Sequence, residues 1–164
     1  MSSSNVSGQA YALTVITPIE RGREDELRGY LESFRDGGVP SPLSRLRRTH
    51  FGRWVIVEDY RSEQEQPRPD GLASQQLVFT SNFDGDRDSY LDELCVELAA
   101  EAEEIWGRCV GCPKPAAGAE LKRYLLHNQL DTGFFVAAYG HATVQQVQGA
   151  VAQRAAMIEF AVVS

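Results

Sequence analysis

Four short apolar stretches alternate along this chain with longer stretches in which apolar residues recur at helical spacing. The predicted strands around them span Tyr11–Thr17, Leu46–Tyr60, Gln75–Phe83 and Thr132–Tyr139, the last with its apolar centre at 134–138. Long amphipathic stretches follow the first and the third, so the predicted order is βαββαβ. This order is typical of a ferredoxin-like α+β domain, a four-stranded antiparallel sheet with helices on one face.

The helices are predicted from the spacing of their apolar residues. They span Arg23–Arg35, Asp88–Trp106 and Glu120–Asn128, and an extra C-terminal helix begins with a capping box formed by Thr143 and Gln146. We expect this last helix to bury one apolar stripe: Val144, Val147, Val151, Ala155 and Ile158. The polar loop over residues 61–74 joins neighbouring strands and can hang over a cavity mouth.

Apolar residues point to both faces of the predicted sheet. Alternation along the second strand places His50 and Trp54 on one face and Phe51 and Val55 on the other. Helices cover one face, so the other needs a second sheet or a hydrophobic pocket in front of it. A twofold dimer whose two sheets close into a barrel meets this need. We therefore expect a homodimer, a dimeric α+β barrel, with a small hydrophobic organic molecule as its ligand.

Composition narrows the class of protein. With 164 residues, 43% of them hydrophobic, the chain is long enough for one domain, predicted over residues 10–164 after a flexible arm of residues 1–9. A net charge of -7 argues against nucleic-acid binding, and the basic cluster Arg45, Arg47, Arg48 and Arg53 is interpreted as a solvated or ion-paired edge. Because the chain has neither a membrane-spanning stretch nor a signal pattern, we expect a cytoplasmic protein without a membrane partner.

Three cysteines, an odd number, do not favour a disulfide framework. Cys109 and Cys112 have the Cys-x-x-Cys spacing of redox dithiols and of half a zinc site. They follow the end of a long helix, where the helix dipole favours the neutral thiol, so a redox role is not expected. A zinc site would need two more ligands, with Cys95 and His127 as candidates. Small cysteines packed in a turn are the favoured interpretation.

The second half of the chain resembles a known superfamily. The residues concerned are Leu77–Asp86 (LVFTSNFDGD), a long helix ending Ile105-Trp106-Gly107, Tyr124-x-x-His127, and Phe134–Tyr139 before a Thr-Val helix start. They are similar to a group of the dimeric α+β barrel superfamily. That superfamily includes cofactor-free quinone-forming monooxygenases, polyketide cyclases, and the haem-bearing chlorite dismutases and dye-decolourising peroxidases. The resemblance implies the fold and the formation of a dimer more strongly than it implies a particular activity, because proteins with this fold catalyse many different reactions.

The chain departs from the peroxidases of that superfamily in two ways. The Asp84-Gly85 pair is too short a match to count as their distal motif, and the chain is much shorter than their two-repeat chains.

Two pairs of residues are candidates for catalysis and binding. His127 lies one helical turn after Arg123, so both project from one helix face, where they can hold an anion or tune a general base. His50 and Trp54, at strand spacing, are predicted to line one wall of the barrel lumen with a titratable group and an aromatic plane.

Three further polar residues lie at strand ends. Asn82 and Asp84 leave the third strand just before a helix, where capping of free backbone N–H groups is favoured over catalysis. Tyr139, at the end of the fourth predicted strand, is a candidate hydroxyl donor to a ligand.

Three functions follow as hypotheses. The first is an enzyme of the oxygenase, cyclase or isomerase type of secondary metabolism, with no tightly bound cofactor, acting on an aromatic or polyketide-like molecule. In it His127 or His50 abstracts a proton, and the substrate is oriented by Trp54, Asn82 and Arg123. The second is a haem protein with His127 as axial ligand. The third is a non-catalytic ligand-binding or dimerisation module. The first is favoured.

Overall fold

In the computed structural model, residues 4–36, 41–58 and 71–163 are described, and they form an open antiparallel sheet packed against helices. The strands are β1 (Val6–Ser7), β2 (Ala10–Pro18), β3 (Thr49–Val57), β4 (Gln76–Asp84) and β5 (Gln129–Leu130). The helices are α1 (Glu24–Asp36), α2 (Arg87–Glu97), α3 (Ala99–Ile105), α4 (Gly118–His127) and α5 (Val144–Val163), with short 3-10 helices at Pro42–Arg45 and Trp106–Arg108.

Across the sheet the strands run β3, β4, β2, and the remaining edge of β2 pairs with both β1 and β5. Every pair is antiparallel. The order β5-β2-β4-β3 is compatible with a ferredoxin-like fold. The core lies between one sheet face and helices α1 to α4, with Leu13, Phe79 and Trp106 among its fully buried side chains. The predicted α+β class is therefore correct.

The prediction of a fourth strand over Thr132–Tyr139 is wrong. No strand forms over those residues, and the chain pairs with β2 earlier, through the two residues of β5. Thr14 lies opposite Leu130 and Val15 opposite Gln129. The physical reason is that another segment occupies the rest of that edge.

The occupying segment is the N-terminal arm. β1 pairs with the start of β2, and the Ala12 N–H donates to the Asn5 carbonyl at 2.8 Å. Asn5 is 2% exposed, and its side-chain oxygen accepts from the Thr132 N–H at 2.6 Å. Residues 134–138 consequently lie outside the arm, where the Ala137 N–H donates to Ser7 Oγ at 3.0 Å. The arm predicted to be flexible thus contains an ordered strand.

The single helix predicted over Asp88–Trp106 is divided at Leu98 into α2 and α3. Leu98 has φ -111° and ψ 25°, outside helical geometry. The predicted apolar face is nonetheless buried along both helices, with Leu91, Leu98 and Ile105 all fully enclosed. The loop predicted to hang over a cavity lies outside the described residues from 61 to 70.

Helix α5 does not bury its predicted stripe. Val144 is buried at the start of the helix, but every described side chain beyond it is exposed, including Val151 at 63% and Ile158 at 53%. The rest of the described chain does not cover this helix. The predicted capping box is confirmed, since Thr143 Oγ1 accepts from the Gln146 N–H at 3.2 Å and Gln146 Oε1 accepts from the Thr143 N–H at 3.0 Å. Among the described helices, none is long and apolar enough to cross a bilayer.

Candidate functional site

The sheet face turned away from the helices carries three rows of residues that run across β2, β4 and β3. The rows are Ala12–Asn82–Phe51, Thr14–Thr80–Arg53 and Ile16–Val78–Val55. We call these nine residues the open sheet face. Phe51 is 78% exposed and Val55 40% exposed, so the described chain leaves apolar surface here in contact with water.

A recess of about 520 Å³ lies on the open sheet face. The first two rows line it, and Thr132 closes one side. Asn82, predicted to bind substrate, therefore lies in the recess. The recess joins one aromatic ring, Phe51, to several polar side chains, so it can offer apolar contact and hydrogen bonds to a small molecule.

Arg53 also lines the recess, although the sequence placed it in a basic cluster interpreted as a solvated or ion-paired edge. Arg45 and Arg48 do form ion pairs, with Glu101 and Glu93. Arg53 instead donates from Nε to Thr80 Oγ1 at 3.2 Å and forms no ion pair with a described residue. The signal that distinguishes Arg53 is its place inside a strand, two positions from Phe51.

A β-bulge at His50 brings a histidine and a carboxylate together beside this face. Thr49 lies opposite Phe83 and Phe51 opposite Asn82, so His50 is the extra residue. Its Nε2 lies 2.7 Å from Asp84 Oδ1 and donates to it, since a carboxylate only accepts. Asp84 follows Asn82 on the same side of β4, about 7 Å further along.

Asp84 is 8% exposed, and both its oxygens are engaged. The second oxygen, Oδ2, accepts from the Val144 N–H at 2.7 Å. The carboxylate thus satisfies a free N–H at the start of α5 while it orients His50. Capping was predicted for Asp84, and it caps α5 rather than the helix that follows it.

Helix α2 is capped by Asp86, whose Oδ1 accepts from the Ser89 N–H at 2.8 Å. This hydrogen bond stabilises the carboxylate and lowers the pKa of Asp86 below its usual value.

Trp54 does not share a wall with His50, contrary to prediction. It packs on the helix side of the sheet, with ring centroids 5.3 Å from Phe79 and 6.3 Å from Trp106. The bulge causes this difference, because one extra residue shifts the alternation between His50 and Trp54. Trp54 is therefore a core residue that anchors β3 to the helices.

The other predicted site residues lie apart from the recess. His127 and Arg123 are both exposed on α4, whose Leu121 and Leu125 point into the core, and Arg123 pairs with Glu120. An exposed histidine on the outside of the helix layer does not fit a haem ligand, which needs an enclosing apolar cleft. Tyr139 is 84% exposed in the turn before α5.

The cysteines are buried free thiols. Burial raises the pKa of Cys109 to about 11 and that of Cys112 to about 12, so both are neutral thiols at pH 7. Cys109 Sγ accepts from Thr17 Oγ1 at 3.3 Å, a packing contact with β2. Within the described ranges, His, Cys, Asp and Glu side chains form no group of three or more that is suited to hold a metal ion.

Of the six predicted site residues, the structure places Asn82 in the recess and His50 in the bulge directly before Phe51, which pairs with Asn82. Asp84, expected to be a cap, and Arg53, expected to belong to a solvated or ion-paired edge, complete the candidate site. In comparisons with known proteins, no family model, no curated protein and no solved structure matches this chain.

Proposed function

We propose that the chain works as a homodimeric enzyme that binds a small hydrophobic molecule at the open sheet face and uses His50, oriented by Asp84, as a general base. The observation that carries this proposal is the recess of about 520 Å³ on the open sheet face, one of whose lining residues, Phe51, directly follows the His50 that donates to Asp84. A cofactor-independent oxygenase, cyclase or isomerase reaction can each begin with removal of a proton from such a substrate.

The dimer is supported by the amount of apolar surface that one copy leaves exposed. Large apolar side chains are exposed on the open sheet face, at Phe51 and Val55, and along α5, at Val151, Met157 and Ile158. Monomeric proteins rarely expose contiguous apolar patches of this kind. A second copy is the natural cover, because a twofold interface places the same patch of each chain against its partner.

The chemistry follows from which nitrogen of His50 is engaged. When Nε2–H donates to Asp84, Nδ1 keeps its lone pair and can accept a proton from the substrate. Nδ1 has no hydrogen-bond partner among the described residues. The Asp84 carboxylate then stabilises the imidazolium that forms. Asn82 orients a polar group of the substrate, and closure by the second copy excludes water.

A non-catalytic dimerisation module is the second candidate function. The exposure of α5 favours it, because that helix needs a covering partner whether or not the recess holds a substrate.

The oligomeric state tests the first part of the proposal. We expect light scattering after size-exclusion chromatography to give twice the 18.2 kDa of one chain at micromolar concentration. Phe51→Asp places a charge on the open sheet face and is expected to weaken the dimer at least about tenfold. Val96→Asp is the matched control, since Val96 is 73% exposed on α2, in the helix layer. A wild-type monomer at all concentrations would contradict the proposal.

Proton abstraction tests the second part. The probe is 2-acetonaphthone in D₂O, with deuterium incorporation at its methyl group followed by NMR. We expect wild-type protein to exceed the buffer rate and His50→Gln to lose about 10²-fold or more of the excess. Glutamine can still donate to Asp84, so the attachment of α5 is kept. His127→Gln, on the outside of α4, should retain the rate. Full activity in His50→Gln, or no acceleration by wild type, would refute the role of His50.

A further inference from the structure

Among the five strands of the described chain, Arg53 is the only lysine or arginine, and it stands in the middle row of the open sheet face. Its row neighbours, Thr80 and Thr14, are uncharged. The hydrogen bond from Nε to Thr80 Oγ1 fixes the direction of the guanidinium. The two terminal amino groups, Nη1 and Nη2, have no partner among the described residues.

The nearest acid on this side of β4 is already occupied. Asp84 accepts from His50 with one oxygen and from the Val144 N–H with the other. Within the described part of the chain, Arg53 is thus an exposed cation without a counter-charge, two positions along β3 from the exposed ring of Phe51. A ligand or second copy that covers this face removes the guanidinium from water, which is strongly destabilising unless an anion lies next to it.

We infer that the ligand of the open sheet face is a hydrophobic carboxylate, whose anionic end pairs with Arg53 and whose apolar body lies against Phe51. This inference rests on the proposed hydrophobic site and specifies its ligand class. The planar fork of a guanidinium matches the two oxygens of a carboxylate, which gives direction as well as charge. Asn82, in the next row, offers an amide to a second polar group of the ligand.

The test compares two probes with the same apolar body, 2-naphthoate and 2-naphthylmethanol, by isothermal titration calorimetry against the full chain. We expect 2-naphthoate to bind more tightly than the alcohol. Arg53→Gln should weaken 2-naphthoate at least about tenfold and leave the alcohol unchanged, while Arg53→Lys should lose part of the affinity. Arg47→Gln is the matched control, because Arg47 is an exposed arginine of the same basic cluster that does not line this recess.

Each outcome is decisive. Equal binding of the two probes, or equal effects of Arg53→Gln on both, overturns the carboxylate assignment and leaves the hydrophobic site standing. If neither probe binds to wild-type protein, the hydrophobic site itself is refuted, and the carboxylate assignment with it. Circular dichroism of Arg53→Gln establishes that the variant is folded, and its unchanged alcohol binding shows that the recess is intact.

Discussion

His50 and Asp84 make a contact that joins three separate parts of the chain. The histidine comes from the bulge in β3, the carboxylate from the end of β4, and the second acceptor contact of Asp84 reaches the first residue of α5. A side chain that is 11% exposed and satisfies two donors has a structural role in addition to any catalytic one. The two roles can be separated, because amide and carboxylate differ in charge but both accept hydrogen bonds.

Replacing Asp84 tests its structural role. We expect Asp84→Ala to lower the free energy of unfolding by about 1–3 kcal/mol, because it leaves the Val144 N–H and His50 without an acceptor. Asp84→Asn should cost less, about 1 kcal/mol, since its amide oxygen still accepts one hydrogen bond. Urea denaturation measures both values. Asp25→Ala, at an exposed position in the first turn of α1, is the control and should change stability by less than about 0.5 kcal/mol.

Equal losses in Asp84→Asn and Asp84→Ala would contradict this assignment. Both substitutions remove the negative charge and only asparagine keeps an acceptor, so equal losses would mean that the charge, rather than the acceptor geometry, holds the start of α5.

At the scale of elements, the N-terminal arm determines which segments pair with the outer edge of β2. It occupies the edge of β2 beside β5, and it meets the turn before α5, where the Gln9 N–H donates to the Gly140 carbonyl at 2.7 Å. Gly8 makes this approach possible. Its φ of 62° lies in the left-handed region, and a Cβ there would come within 2.1 Å of the Gly140 oxygen.

The pair Gly8→Ala and Gly22→Ala tests this close approach. Both glycines have positive φ, 62° and 84°, so both substitutions introduce backbone strain of about 1–2 kcal/mol. A Cβ added at Gly22 would meet nothing within 4 Å, whereas one added at Gly8 would clash with backbone. We therefore expect Gly8→Ala to be more destabilising than Gly22→Ala by at least about 1–3 kcal/mol in urea denaturation. Equal losses would show that the arm does not pack against residue 140.

At the scale of the whole molecule, exposed large apolar side chains lie on the open sheet face, along α5 and in the segment between β5 and α5, at Phe134 and Val136. Every described side chain of α5 after Val144 is exposed, so the helix gains little from packing against the described chain. Most helical stability in proteins comes from tertiary packing of an apolar face, so the stability of α5 should depend on the proposed association with a second copy.

Hydrogen exchange tests this dependence. We expect the amides of α5 to be protected at high protein concentration and to exchange faster on dilution, because dissociation uncovers the helix. Amides of the core strands β2 and β4 should stay protected at both concentrations. The double variant Val151→Glu with Ile158→Glu should make α5 exchange fast at every concentration. Protection of α5 that is independent of concentration would contradict a role for the helix in the dimer.

Some features of the protein are determined by sequence pattern alone. Apolar periodicity was sufficient for the α+β class and for most helix positions. The spacing of Thr143 and Gln146 was sufficient for the capping box, because a cap depends on residues close in sequence. The face that Asn82 occupies likewise follows from strand alternation, which holds without interruption along β4.

Tertiary structure decided the rest, because it depends on competition between segments far apart in the chain. The N-terminal arm and the segment after α4 compete for one edge of β2. Because the arm occupies part of that edge, residues 134–138 form no strand, although their sequence is apolar. One extra residue at His50 reverses the alternation in β3, which sends Trp54 to the core and leaves His50 beside Asp84. The tertiary structure likewise determines the surroundings of Arg53. Only the strand register shows that Arg53 lies opposite Thr80 and that no described carboxylate faces it.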